Sequence, residues 1–198
     1  MSYIFVGLGN PGEQYLGTRH NTGRMILLAL NSSLKSDAGE WKTDKKLNAQ
    51  IAKVKIGKSQ VVLVLPDTFM NNSGKSVKTL VTSAKGAEKL VVIYDDLDLP
   101  FGANKISFNK SSGGHKGVES IIKALKTEKF ARVRVGISPT SPSGKMRKPM
   151  GEEHVMKHIL GKFKPDEMMQ LKKLSKKIST ALETFVSSGL EKAMTDFN

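Results

Sequence analysis

Apolar residues along the chain fall into short runs separated by turn formers, and the period of each run predicts an element. Tyr3 to Val6 is a short β-rich run closed by glycine, asparagine and proline. Residues 22–34 follow with helical spacing through Met25, Leu28 and Ala29. Ile51, Val54 and Ile56 interleave with Lys53 and Lys55, and after Gly57-Lys58 the unbroken run Val61 to Leu65 reads as the second strand of a hairpin, buried on both faces. A helix opening at Asn72-Ser73 carries Val77, Leu80 and Val81, and Leu90 to Tyr94 is an apolar strand ending in acids. Ile106 and Phe108 mark a short strand, Gly114 to Leu125 a helix with Val118, Ile121 and Ile122 on one face, and Val133 to Ile137 a last strand. Strands and helices alternate. That predicts an α/β fold, a single domain built on one mixed, twisted β-sheet flanked by helices.

The texture changes after residue 137. Prolines, serines and lysines over 138–150 cannot hold a ladder or a helix, which predicts a flexible lid loop, with plain disorder as the alternative. A C-terminal helix is predicted over 165–188. Met168, Leu171, Leu174, Ile178, Leu182 and Phe185 recur at three- and four-residue steps, Pro165 suits its first turn, and Gly189 follows its end. No repeat or second domain interrupts 1–198.

Charge and composition narrow the function. Against 18 acidic residues stand 32 Lys and Arg, a net charge of +14, which favours a polyanionic partner, although solubility alone also explains it. Cysteine is absent, excluding disulfides and thiolate chemistry and favouring a reducing compartment. The longest apolar run, Met25 to Leu30, is far too short for a membrane span, and Gly7, Gly9 and Pro11 interrupt any signal-like segment.

Four constellations carry candidate chemistry. Gly7-Leu8-Gly9-Asn10-Pro11-Gly12 satisfies a dinucleotide-binding glycine pattern. Pro11 interrupts it, however, and the following segment runs through Asn31-Ser32-Ser33 without the strand and terminal acid that a ribose needs about 20 residues on, so a glycine turn competes. His20 follows that turn. An imidazole there suits a general base if a carboxylate orients it, and Asp95, Asp96 and Asp98 stand at the end of another strand. If the two strands are neighbours, His20 and Asp95 share one end of the sheet. Asn71 opens a helix as either a cap or a ligand contact. The loop Ser111 to Gly117, with Gly113, Gly114 and His115, offers backbone N–H groups to a phosphate or an oxyanion. Around it, Lys105, Lys110, Lys116, Lys123, Lys126, Lys129, Arg132 and Arg134 face only Glu119 and Glu128, the densest positive region of the chain.

Together these blocks resemble the bacterial peptidyl-tRNA hydrolases. The resemblance rests on Val6 to Gly12, Tyr15 with Thr18-Arg19-His20-Asn21, Phe69-Met70-Asn71 with Ser73-Gly74-Lys75, Asp95 to Pro100, Gly113-Gly114-His115, Arg132 to Ile137 and Leu160-Gly161-Lys162, in family order. It implies a monomeric, cytoplasmic enzyme that cleaves the ester joining a peptide to the terminal ribose of a tRNA, without metal or organic cofactor. His20 is then the base that activates water and Asp95 its orienting carboxylate. Asn10 separates N-blocked from free esters, and Tyr15, Phe69, Met70, Asn71, Gly113, His115 and Lys116 belong to the substrate site. The chain departs from the family pattern twice: Lys116 replaces an asparagine, and Ser107 replaces one of two basic residues that clamp a tRNA phosphate. Arg134 matches the other, with Lys105 or Lys110 as substitutes for the missing one. The rival from another class is a non-catalytic RNA-binding protein on the same scaffold, which would need none of His20, Asp95, Asn10 and Asn71.

Overall fold

The computed structural model describes residues 2–198. Its seven strands are β1 (Tyr3–Gly7), β2 (Lys42–Asp44), β3 (Ala49–Ile56), β4 (Ser59–Pro66), β5 (Leu90–Pro100), β6 (Asn104–Phe108) and β7 (Ala131–Ser138), ordered β2-β3-β4-β1-β5-β7-β6 in one sheet. The four inner strands β4, β1, β5 and β7 run parallel, and β3, β2 and β6 pair antiparallel at the two edges, so the sheet is mixed as the alternation predicts. The helices are α1 (Thr22–Ser33), α2 (Ser73–Lys78), α3 (Ala84–Ala87), α4 (Lys116–Leu125), α5 (Glu152–Leu160), α6 (Pro165–Ser188) and α7 (Leu190–Phe197).

Two apolar layers cover the sheet. On one face Ile26, Leu27 and Leu30 of α1 and Leu174, Ile178, Leu182 and Phe185 of α6 pack on Phe5, Leu63, Ile93 and Val133. On the other, Val77 of α2 and Val118 and Ile121 of α4 pack on Val6, Val64, Val92 and Tyr94. Alternate residues of β1 therefore serve opposite layers, which is why the inner strands read as continuous apolar runs.

Several expectations shift in detail. Leu28 is exposed and Ala29 half-buried, and the core face of α1 runs through Ile26, Leu27 and Leu30 with Met25 partly buried against it. Helical period alone does not fix phase when the six apolar residues Met25 to Leu30 lie together. Met168 likewise faces solvent, although the deeper positions of α6 are buried. Val62 in β4 is only half-buried. β5 does not end at Tyr94; it continues through the acids to Pro100, changing register against β7 between Asp96 and Pro100. α4 begins at Lys116, because Gly113 and Gly114 adopt left-handed φ angles of 59° and 83°. Residues 139–147 fold back on themselves: Thr140 bridges to Met146, the Ser141 N–H donates to the Lys145 carbonyl, and the Arg147 N–H donates to that of Pro139.

One close approach sets the geometry of the functional end. A Cβ on Gly23 would lie 2.2 Å from the Ile93 carbonyl oxygen, and one on Gly7 would lie 2.5 Å from that of Gly23. Only hydrogen fits at both positions. The first turn of α1 thereby rests directly on the carboxyl ends of β1 and β5, and the preceding 3-10 turn, Arg19–Asn21, is carried over the end of β5.

Candidate active site

β1 and β5 are hydrogen-bonded neighbours, and their carboxyl ends bring His20 and Asp95 together. His20 Nδ1 lies 3.1 and 3.0 Å from the two carboxylate oxygens of Asp95, with His20 8% and Asp95 3% exposed. A second histidine uses the same acid, for His115 Nε2 lies 3.1 Å from Asp95 Oδ1. His115 is also the N-cap of α4, where its Nδ1 accepts the Val118 N–H at 3.3 Å. An imidazole nitrogen that accepts has no proton, so the proton of neutral His115 sits on Nε2 and is donated to Asp95. Asp95 thus receives donors from both rings. The same logic puts the His20 proton on Nδ1, leaving the Nε2 lone pair free.

The charges follow from this geometry. Burial works against a charged His20, but the charge of Asp95 and its hydrogen bond outweigh burial and raise the pKa above 6.5. Burial pushes the Asp95 carboxyl up, yet the two histidines hold it well below the usual carboxylate range. Tyr94, whose ring packs on His115 at 4.8 Å, is pushed up to about 12 by burial and by the neighbouring acid Asp96. The ligand atoms of His20, Asp95 and His115 lie within 4.8 Å of one another, a spacing that suits a metal ion. The proton placed on His115 Nε2 by the Val118 contact favours a hydrogen-bonded relay over a coordination shell.

These groups open onto a cavity of about 460 Å³. Asn10 and Asn71 line it in similar ways. Asn10 Oδ1 accepts the Met70 N–H at 2.8 Å, and Asn71 Oδ1 accepts from Asn72 Nδ2 at 3.2 Å. In both, the carbonyl oxygen has a protein partner, which leaves the NH2 group as the donor that each of these cavity-lining residues can offer. Asn21 fixes Asn10 further, accepting its N–H and donating to its carbonyl. The glycine pattern at residues 7–12 is therefore spent on packing α1 and seating Asn10, and the dinucleotide reading falls. Phe69, Met70, Gly113, His115 and Lys116 also line the cavity, whereas Tyr15 stands outside it, edge-on to the Phe69 ring at 6.5 Å. The Lys116 ammonium turns to Glu119 at 3.5 Å on an exposed surface.

Arg19 secures the turn that holds His20. It makes two hydrogen bonds of 2.9 and 2.8 Å to the carboxylate of Glu167, reaches the carbonyls of Gly161 and Lys162, and lies over the Phe163 ring. Glu167 also accepts the Lys164 N–H at the start of α6. Its pKa is lowered, since these contacts overcome the effect of burial.

The phosphate candidates lie elsewhere. Lys105 stands directly opposite Arg134 in the β6–β7 pair, and Ser107 opposite Arg132. Arg134 donates to Asp96 at 2.6 Å, so it is engaged within the protein, while Lys105 and Lys110 are exposed. Arg132 is wholly buried above the Phe130 ring, and none of its three nitrogens has an acceptor among the described residues.

A family model for peptidyl-tRNA hydrolase matches residues 4–198. The chain is 38% identical to the peptidyl-tRNA hydrolase of Aquifex aeolicus over 96% of its own length and 93% of that protein. It is 42% identical to that of Herpetosiphon aurantiacus over 99% of its length and 90% of the relative. The chain belongs to the peptidyl-tRNA hydrolase family. A crystal structure of the family's Acinetobacter baumannii member matches with a TM-score of 0.85 at 29% identity, covering 100% of this chain and 94% of that one. A crystal structure of a peptidyl-tRNA hydrolase complex with N-propanol matches with a TM-score of 0.86.

The sequence reading missed the far wall of the cavity. Leu97 on β5 and Val155, Met156, Ile159 and Leu160 on α5 supply it, and Lys148 pairs with Asp98 at its edge. The four α5 positions follow the i, i+1, i+4, i+5 spacing of one helix face, a signal present in the sequence but short and masked by the polar stretch before it.

Proposed function

We propose that the protein hydrolyses the ester between a peptide and the 3′-terminal ribose of tRNA, with His20 as the base. The observation that carries this reading is the His20–Asp95 contact: a carboxylate oxygen 3.0 Å from Nδ1 can only accept, which puts the ring proton on Nδ1 and leaves the Nε2 lone pair for a water proton. Asp95 orients the ring and stabilises the imidazolium that forms. The water oxygen bonds to the ester carbon, the tetrahedral intermediate collapses, and the ribose oxygen leaves with a proton returned from His20. The Asn71 NH2 group supplies a donor toward the developing oxyanion. The Asn10 NH2 group donates to the carbonyl of an N-acyl group. A free ammonium has only donors of its own, so the same amide separates blocked from unblocked esters.

The tRNA lies along the basic region, with phosphates taken by Lys105, Lys110 and Arg134. The register of Lys105 opposite Arg134 supports this, and Arg134 would exchange Asp96 for a phosphate. The enzyme acts as a cytoplasmic monomer with one catalytic domain, its 138–150 segment serving as a lid and no cofactor taking part. Among the described residues, no helix is long and apolar enough to cross a membrane. The test is incubation with N-acetyl-aminoacyl-tRNA and with the unblocked ester. Rapid, selective release from the blocked substrate is expected, and binding without release would favour the RNA-binding alternative.

A further inference from the structure

The cavity has two chemically different sides. Asn10, His20, Asn71, Asp95 and His115 supply the polar lining, and Phe69, Leu97 and, from α5, Val155, Met156, Ile159 and Leu160 supply an apolar one. Phe69 is 58%, Met156 45% and Leu160 37% exposed, whereas Ile159 of the same wall is 8% exposed and belongs to the core. Exposed apolar side chains gathered on a concave surface beside reactive groups mark a place where a ligand's apolar surface is covered. The acids near this wall are already engaged, Asp96 with Arg134 and Asp98 with Lys148. Glu152 adds a further negative charge at the lining.

Resting on the hydrolase reading above, we infer that the α5 wall is the subsite for the side chain of the ester-linked amino acid. The site favours apolar side chains over glycine and disfavours acidic ones. The ester carbon must sit near His20 and the N-acyl carbonyl near Asn10, so the side chain branches from the atom between them. The polar side of the cavity offers it no apolar cover; the α5 wall does. Met156 and Phe69 present soft or planar surfaces that accept several shapes, so the preference is for apolar character over one particular residue.

The experiment compares N-acetyl-leucyl, N-acetyl-glycyl and N-acetyl-aspartyl esters on one tRNA body. Each methylene covered changes an equilibrium roughly four-fold. With about half of the leucine side chain covered, kcat/KM for the leucyl ester should exceed that for the glycyl ester by roughly ten-fold, and the aspartyl ester should be slowest. Leu160→Gln and Met156→Gln, made separately so that misfolding of one leaves the other informative, should each narrow the leucyl-to-glycyl ratio. Equal values for the three esters, or an unchanged ratio in both folded variants, overturns the inference while leaving the hydrolase reading standing. Failure to hydrolyse any of the three overturns both.

Discussion

The cluster at the ends of β1 and β5 and the basic edge formed by β6 and β7 treat charge in opposite ways. In the cluster, Asp95 is 3% exposed, yet both its oxygens receive donors, and the two histidines that supply them have their own orientations fixed. At the edge, Lys105 faces solvent, Arg134 is held by an acid, and Arg132 is buried with no acceptor among the described residues. A general base needs one tautomer in one place, which requires every neighbour to be satisfied. Phosphate tracking needs only positive potential and tolerates loose geometry. The difference teaches that substitutions in the cluster should act on rate, and those at the edge on affinity, salt dependence or stability.

The largest effect should come from breaking the cluster. His20→Ala is expected to lower kcat by about 10²- to 10⁴-fold, and Asp95→Asn by a comparable factor because the ring loses its tautomer and angle. Single-turnover hydrolysis alongside tRNA binding checks this, and affinity should stay nearly constant. Near-normal turnover in His20→Ala would remove the mechanism.

The next effect is one of pH. His20 must be neutral to accept a proton, and its pKa is raised above 6.5, so kcat/KM should fall as pH drops through a value above 6.5. In Asp95→Asn the raising influence is lost while burial persists. The acidic limb of the remaining activity should then move to lower pH, below 6.5. A limb that stays in place would show that another group titrates.

How much of this was legible in the sequence differs between the same two regions. The alternation of elements follows from periodicity, and the pairing of His20 with Asp95 follows from the rule that open α/β sheets carry sites at strand ends, on the condition that β1 and β5 are neighbours, which the sequence leaves open and the structure meets. The second donor on Asp95 does not follow. His115 is a helix cap as well as a ligand of the acid, and nothing in local spacing reveals contact across 20 residues of chain. The burial of Arg132 was illegible for a related reason. It alternates with Val133 and Arg134 as an exposed strand residue would, yet it is fully buried with its guanidinium over the Phe130 ring. α5 escaped because nine residues behind a polar loop give too short a period.

At the edge, Arg132→Met tests whether the buried guanidinium matters to RNA at all. A charge without an acceptor costs stability, whereas its stacking on Phe130 returns up to ~2 kcal/mol. Methionine keeps a favourable ring contact without the charge, so a net gain of roughly 1 kcal/mol and a rise in Tm of about 2–4 °C is expected. The salt slope of tRNA binding should not change, whereas Lys105→Ala should reduce that slope by about one. Loss of slope in Arg132→Met would place a phosphate on the buried residue and blur the distinction between the two regions.

The smallest effect is expected at Lys116, which sits where the regions meet. Lys116 is a lining residue of the cavity, and an ammonium about 7 Å from His20 would destabilise the imidazolium by roughly 2 kcal/mol for an effective dielectric of about 20. The side chain is instead 71% exposed and paired with Glu119 at 3.5 Å, and the influences that set the His20 pKa are burial and Asp95 alone. An exposed pair of this kind is worth about 0–1 kcal/mol, and solvent screens what reaches the histidine. Lys116→Asn should therefore leave the acidic limb of kcat/KM where it is. Removing one cation from the single-stranded end of the tRNA should make the salt slope shallower by about 0.7 or less. If the limb moves to higher pH in this variant, the ammonium does act on His20, and Lys116 belongs with the catalytic cluster instead of the basic edge.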